Sequence, residues 1–158
     1  MKFNQYLRLR QRAVAKLISL ARGEEISERK NLDPRSYAYL GDALYSLYVR
    51  RRLLETGVVS TRVLHDLAAQ IISAKAQSRV LLALSEVLTE EEREFCRRAR
   101  NASVHTPTSA TVGEYHRSTA WEALLGMHAW QQQQERVDEL LAVAWEIIVG
   151  ELENETIS

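Results

Sequence analysis

The sequence predicts an all-α protein of about seven helices, and three observations carry that prediction. Apolar residues recur at three- and four-residue spacing through most of the chain. Alternating apolar and polar runs bounded by turn dipeptides, the mark of strands, are missing, and no repeat period is present. Both prolines, Pro34 and Pro107, stand where a helix begins or breaks rather than inside an apolar pattern.

The first element is MKFNQYLRLRQRAVAKLISL, whose apolar residues are dispersed among arginines and glutamines. That pattern makes neither a signal-peptide core nor a membrane span, and residues 1–30 are read as a basic helical extension. Asp33 followed by Pro34 is an N-cap and first-turn pair. It opens a long central helix in which Tyr37, Leu40, Leu44, Leu47 and Tyr48 recur until Gly57. Ser60 or Thr61 caps the next segment, through Val63, Leu64, Leu67 and Ile71, and Ser73 caps another carrying Val80, Leu81, Leu84 and Val87. Thr89 with Glu92 forms a capping box at the head of TEEEREFCRRAR, with acids first and arginines last as the helix dipole favours. After a polar loop over about 102–113, STAWEALLGMHAW resumes the helical pattern. QQQQ at 131–134 reads as an exposed connection, and VDELLAVAWEIIVGEL is the last amphipathic helix. The main domain is placed at 31–153, with a tail at 154–158.

A length of 158 residues suits one domain with a proper core. With 46% hydrophobic and 27% charged residues the chain is composed like a folded protein, not a disordered one. Its single cysteine, Cys96, excludes an intramolecular disulfide and a multi-cysteine metal site, which fits a soluble, cytoplasmic protein without membrane contact. A net charge of zero does not by itself indicate a nucleic-acid partner. Its distribution says more, because residues 1–35 hold nine Lys and Arg against four acids, whereas 133–158 hold seven acids against Arg136 alone. Two clusters, Arg50-Arg51-Arg52 and Arg97-Arg98 with Arg100, are either phosphate contacts or solvated helix ends.

Two acids stand out. In YLGDALY, Asp42 sits in an apolar run, with Ala38, Tyr39, Tyr45 and Ser46 one helical turn away and no local cation. Glu122 repeats the arrangement among Ser118, Thr119, Leu125 and Gly126. Each lies near a glycine, Gly41 or Gly126, whose missing side chain lets another helix approach, so two helices are expected to cross there. If the acids meet, a bound cation or a proton must offset their repulsion, and magnesium, which prefers oxygen ligands and keeps several waters, is the natural resident. The alternatives are plain exposure, or pairing with a distant arginine such as Arg50 or Arg100.

At these same residues the sequence resembles the ribonuclease III family. YAYLGDALY at 37–45 is similar to the signature helix of the ribonuclease III domain, and STAWEALLG at 118–126 to its second acidic helix, in the same order and separation. LHDLAAQIISAKAQ at 64–77 and RRARNA at 97–102 bring the chain closer to the short bacterial form, Mini-ribonuclease III, which carries no appended double-stranded-RNA-binding domain. The resemblance spans roughly residues 32–150. It implies a ribonuclease III endonuclease-domain fold and a homodimer that uses Mg2+ to hydrolyse double-stranded RNA, leaving 5′-phosphate and 3′-hydroxyl ends. For the short form it implies precursor large-subunit ribosomal RNA as substrate, with a ribosomal protein that presents the RNA as a candidate partner. By position, Asp42 and Glu122 become catalytic metal ligands, and Tyr39 falls where the family places an aromatic residue inserted into the partner subunit. RNA recognition through phosphates and A-form shape suits arginines, so Arg97, Arg98, Arg100 and Asn101, with the loop after them, are the expected RNA contact. The larger family has a glutamate at the position of Ala38 and an aspartate at that of Thr119, so two of its four acids remain here. Two other functions compete: a weak or inactive RNA-binding scaffold of the same fold associated with ribosome assembly, and a helical protein-interaction domain with no RNA role.

Other signals carry less. His65-Asp66 has no second histidine cluster, and His105, His116 and His128 are scattered, so each is read as structural or solvated. Cys96 is expected to be a buried inert thiol, and Trp121, Trp130 and Trp145 to be core or dimer interface.

Overall fold

The computed structural model describes residues 2–24, 31–102 and 109–157. His105 and Pro107 lie outside the described residues. The chain forms two compact units, 1–31 and 32–158. The first is helix α1 (Phe3–Ala21), which buries no residue and ends at Gly23 in the left-handed region, φ 75°.

The second unit contains α2 (Pro34–Leu54), α3 (Thr61–Ile71), α4 (Ala74–Ala83), a 3-10 turn at Leu84–Glu86, α5 (Glu90–Asn101), α6 (Val112–Trp130) and α7 (Gln134–Ile157). No strand occurs among the described residues. Most starts follow from their caps. The Asp33 carboxylate accepts from the backbone N–H of Arg35 (2.9 Å) and Ser36 (3.1 Å), with Pro34 in the first turn where no donor is needed. Ser73 accepts from the N–H of Ala76 at 3.2 Å, and the Thr89–Glu92 capping box is complete in both directions. Ser60 precedes α3, but its side chain makes no cap bond.

Three elements differ from the sequence reading. Helix α6 begins at Val112, six residues before Ser118, because Thr111 and Glu114 form a second complete capping box inside a stretch that reads as loop. Helix α7 runs through Ile157, so the residues set apart as a tail from 154 continue it. The helix at the centre is α6 rather than α2. It packs against α2, α4, α5 and α7, and it buries Ala120, Trp121, Ala123, Leu124 and Leu125 on nearly all sides. Helix α2 lies across it and buries Tyr37, Ala38, Gly41, Tyr45, Val49 and Leu53. Of the expected α2 stripe, Leu40, Leu44 and Tyr48 are only half-buried and Leu47 is exposed. At the crossing, close backbone packing selects small and aromatic residues for the inner face and leaves Leu40, Leu44 and Leu47 toward the outside.

The QQQQ stretch is the expected connection. Gln132 takes a left-handed conformation, φ 62°, and the N–H groups of Gln132 and Gln133 cap the carbonyls of Ala129 (3.1 Å) and His128 (2.9 Å), which closes α6. In the core, Tyr45 meets Trp121 edge-on at 5.8 Å, within the buried cluster that also holds Val49, Val80, Leu84 and Leu140.

Candidate active site

Helices α2 and α6 touch backbone to backbone. A Cβ on Gly41 would lie 1.7 Å from the Glu122 carbonyl oxygen, and one on Gly126 would lie 1.9 Å from that of Tyr37. Only glycine fits at either position, and the crossing expected from the two glycines is present. It sets Asp42, the residue after Gly41, near Glu122.

The two carboxylates have different surroundings. Asp42 is exposed, so the cost of an acid in an apolar run does not fall on it. Glu122 bears that cost. Burial pushes its carboxyl up to about 7; a hydrogen bond from Gln77 opposes the rise and the Asp42 charge adds to it. Its partner is thus an amide from α4, not Arg50 or Arg100. Gln77 Nε2 donates to Glu122 Oε1 at 2.9 Å and to the Ile72 carbonyl at 2.9 Å. Gln77 is 3% exposed and its Oε1 is buried with no hydrogen-bond partner, as are Tyr45 Oη and Trp121 Nε1. Gln77 was in the 64–77 motif without a role, and sequence alone offers no signal that it turns toward Glu122.

This donor set suits a hard divalent cation. It has one desolvated and one solvated carboxylate, and a buried carbonyl oxygen that lacks a donor a coordinated water can supply. Among the described residues no group of three or more His, Cys, Asp or Glu gathers to hold a metal, so such an ion would keep much of its water. Of the two positions at which the sequence resemblance leads acids to be expected, Ala38 is buried, and Thr119 Oγ1 donates to the Tyr115 carbonyl at 3.0 Å.

Arg97, Arg98, Arg100 and Asn101 are all exposed near the C-terminal end of α5, and the loop they lead into lies mostly outside the described residues. Arg97 is tied to Glu94 through two hydrogen bonds of 2.9 and 2.8 Å, and Arg98 reaches the same carboxylate at 3.5 Å. Arg35 Nε donates to the Ala102 carbonyl at 2.7 Å, which joins this end of α5 to the start of α2. Asp42 is seven residues further along α2, about 10 Å at the helical rise. Tyr39 projects from the outer side of α2, 86% exposed, in a hollow of about 810 Å³ lined also by Leu40 and Trp130.

One polar cluster escaped the sequence reading. Glu92, besides capping α5, accepts from Arg136 Nε (2.9 Å) and Nη2 (2.8 Å) and lies 2.8 Å from His128 Nε2. Burial alone would raise its carboxyl; Arg136, the Thr89 N–H and His128 outweigh burial and hold it down to about 2. The cluster ties α5, α6 and α7 together, and His128 is fully engaged within it. Burial pushes the Cys96 thiol up to about 12, which leaves it inert as expected. His65 and Asp66 are exposed.

A glycine-packed helix crossing with a carboxylate from each helix, inside an all-α core, defines the class. The family model for the ribonuclease III domain matches residues 35–133. The chain is 46% identical over 118 residues to a Mini-ribonuclease 3 of Symbiobacterium thermophilum, covering 74% of this chain and 91% of that protein. It is 41% identical over 130 residues to a Mini-ribonuclease 3 of Brevibacillus brevis, covering 81% and 97%. A crystal structure of a protein from Fusobacterium nucleatum superposes with a TM-score of 0.68 at 29% identity, covering 77% of this chain and 96% of that one. The chain belongs to the ribonuclease III family, in its Mini-ribonuclease 3 branch, and is an endoribonuclease that acts on double-stranded RNA. No helix among the described residues is long and apolar enough to cross a membrane.

Proposed function

We propose that this endoribonuclease is magnesium-dependent, matures precursor large-subunit ribosomal RNA in the cytoplasm, and leaves 5′-phosphate and 3′-hydroxyl ends. The observation that carries the reading is Glu122, a half-buried carboxylate beside a second carboxylate, whose hydrogen-bond partner is the neutral Gln77 amide and for which no cationic partner stands among the described residues. Asp42 and Glu122 hold the metal. Bound magnesium supplies Lewis-acid polarisation of the scissile phosphate and activation of water.

The chain's own residues do the rest. Gln77 fixes the rotamer of Glu122, and the Gly41–Gly126 crossing fixes its distance from Asp42. Neither Cys96, buried as a thiol, nor His128, bound to Glu92, serves as nucleophile. Arg97, Arg98, Arg100 and Asn101, exposed at the end of α5 that Arg35 ties to the start of α2, grip phosphates. An exposed Tyr39 and the outward leucines of α2 supply a twofold dimer face, and a symmetric pair of sites cuts both strands across one groove. A ribosomal protein that presents the precursor is a further partner in this reading.

A second reading, a scaffold that binds RNA without cutting, is favoured by Ala38 and Thr119, which remove two acids from the site. Incubating the purified protein with a long RNA duplex or single-stranded RNA, with magnesium or chelator, separates them. Cutting of the duplex alone, only with magnesium, is expected; a duplex and a precursor ribosomal RNA both bound but uncut would support the scaffold.

A further inference from the structure

Gln77 is a buried side chain hydrogen-bonded to a proposed metal ligand, and three features give it more than a packing role. Its Nε2 is shared between Glu122 Oε1 and the Ile72 carbonyl, at 2.9 Å each. The Ile72 carbonyl, at the end of α3, can only accept. It therefore locks the amide with its NH2 group toward Glu122, since the flipped amide would set its one oxygen against two acceptors. The remaining oxygen, Gln77 Oε1, is buried with no donor in reach, so the amide is incompletely satisfied in the absence of a bound molecule. A residue kept only for packing would satisfy both ends or be apolar, because an orphaned buried acceptor costs about 1–3 kcal/mol.

We infer that Gln77 is the positioning residue of the metal site: it presents Glu122 to a divalent cation in one fixed orientation, and α3 in turn fixes Gln77 through the Ile72 carbonyl. This inference rests on the reading of Asp42 and Glu122 as metal ligands. It makes the α3–α4 corner part of the site, although neither helix supplies a ligand. Groups that orient metal ligands in this way are worth about 10–100-fold in metal affinity or activity. The neighbouring residue provides the contrast. Ser78, equally buried on α4, accepts instead from Arg117 Nε at 2.6 Å.

The test is Mn2+ binding to the full chain without RNA, followed by calorimetry and by the electron-paramagnetic-resonance signal of free Mn2+, with thermal melting alongside. Gln77→Met keeps the side-chain length and removes the amide; Gln77→Asn keeps an amide but withdraws it by one methylene. Both are expected to weaken Mn2+ binding about 10-fold or more, whereas Ser78→Ala lowers the melting temperature and leaves Mn2+ binding as in the parent. If Gln77→Met does not fold, Gln77→Asn decides. Parental Mn2+ affinity in folded Gln77 variants, with binding lost in Glu122→Gln, would overturn the role of Gln77 alone. Parental affinity in Glu122→Gln as well, or no binding by the parent, would overturn the ligand assignment and this inference with it.

Discussion

Replacing Gly41 by alanine asks whether backbone contact between α2 and α6 sets the spacing of the two carboxylates. The added Cβ would lie 1.7 Å from the Glu122 carbonyl oxygen, a backbone atom that no rotamer change can move aside. Reaching ordinary van der Waals separation requires the helices to part or twist by roughly 2 Å, in an interior packed like a crystal. Overpacking costs about 1–3 kcal/mol, and a backbone clash belongs at the upper end. Alanine recovers about 1 kcal/mol over glycine through helix propensity. The net loss is then about 1–2 kcal/mol, or several degrees of melting temperature for a domain of this size. Activity should suffer more, because displacing a reacting group by about 1 Å costs on the order of 100-fold. Gly150→Ala is the control, since its Cβ would meet nothing within 4 Å, and it should melt at or slightly above the parent. Thermal melts and initial rates on an RNA duplex check both effects. A Gly41→Ala protein that melts no lower than the parent and cuts at the parental rate would refute the reasoning.

Two further outcomes follow from the carboxyls. Glu92→Gln removes the charge that Arg136 and His128 share and should destabilise the fold by about 3 kcal/mol, within the range for breaking a buried pair, as measured by urea denaturation at pH 7. Because the Glu92 carboxyl is held down to about 2, its contribution is fully present above the ordinary value near 4.5 and is lost as pH falls toward 2, so Glu92→Gln should flatten the acid limb of the stability profile. Glu122 has the opposite sign. With its folded value raised to about 7, its contribution is present below about 4.5 and lost as pH rises through 7. In chelator the parent should therefore lose stability relative to Glu122→Gln between pH 5 and 8, by on the order of 2 kcal/mol. A difference in denaturation midpoint between the two proteins that stays the same from pH 5 to pH 8 would contradict the desolvation of Glu122.

The fold class and the crossing were legible because their causes are local. Asp33-Pro34 announces α2 through its own hydrogen bonds, and glycines beside two unpartnered acids announce a close approach wherever it occurs. What could not be read depends on partners far along the chain. Glu92 shows its capping box in sequence, but His128 and Arg136 lie 36 and 44 residues away. Gln77 reaches Glu122 across 45 residues, with an amide that looks like any helix-surface polar group. The inner face of α2 was misread because leucines outweigh small residues in any apolar pattern, whereas a backbone-to-backbone contact selects Ala38 and Gly41 and turns Leu47 outward. The start of α6 was missed although its capping box was in plain sight, since Gly113 and the polar residues before it mimic a loop.

The most direct measurement is the rate of cleavage of a long RNA duplex at saturating magnesium by Asp42→Asn and Glu122→Gln, with melting temperature and duplex binding recorded beside it. The paired-acid account predicts that both variants fold and bind duplex like the parent and cut it at least about 100-fold more slowly. Parental cleavage by either folded variant would contradict it.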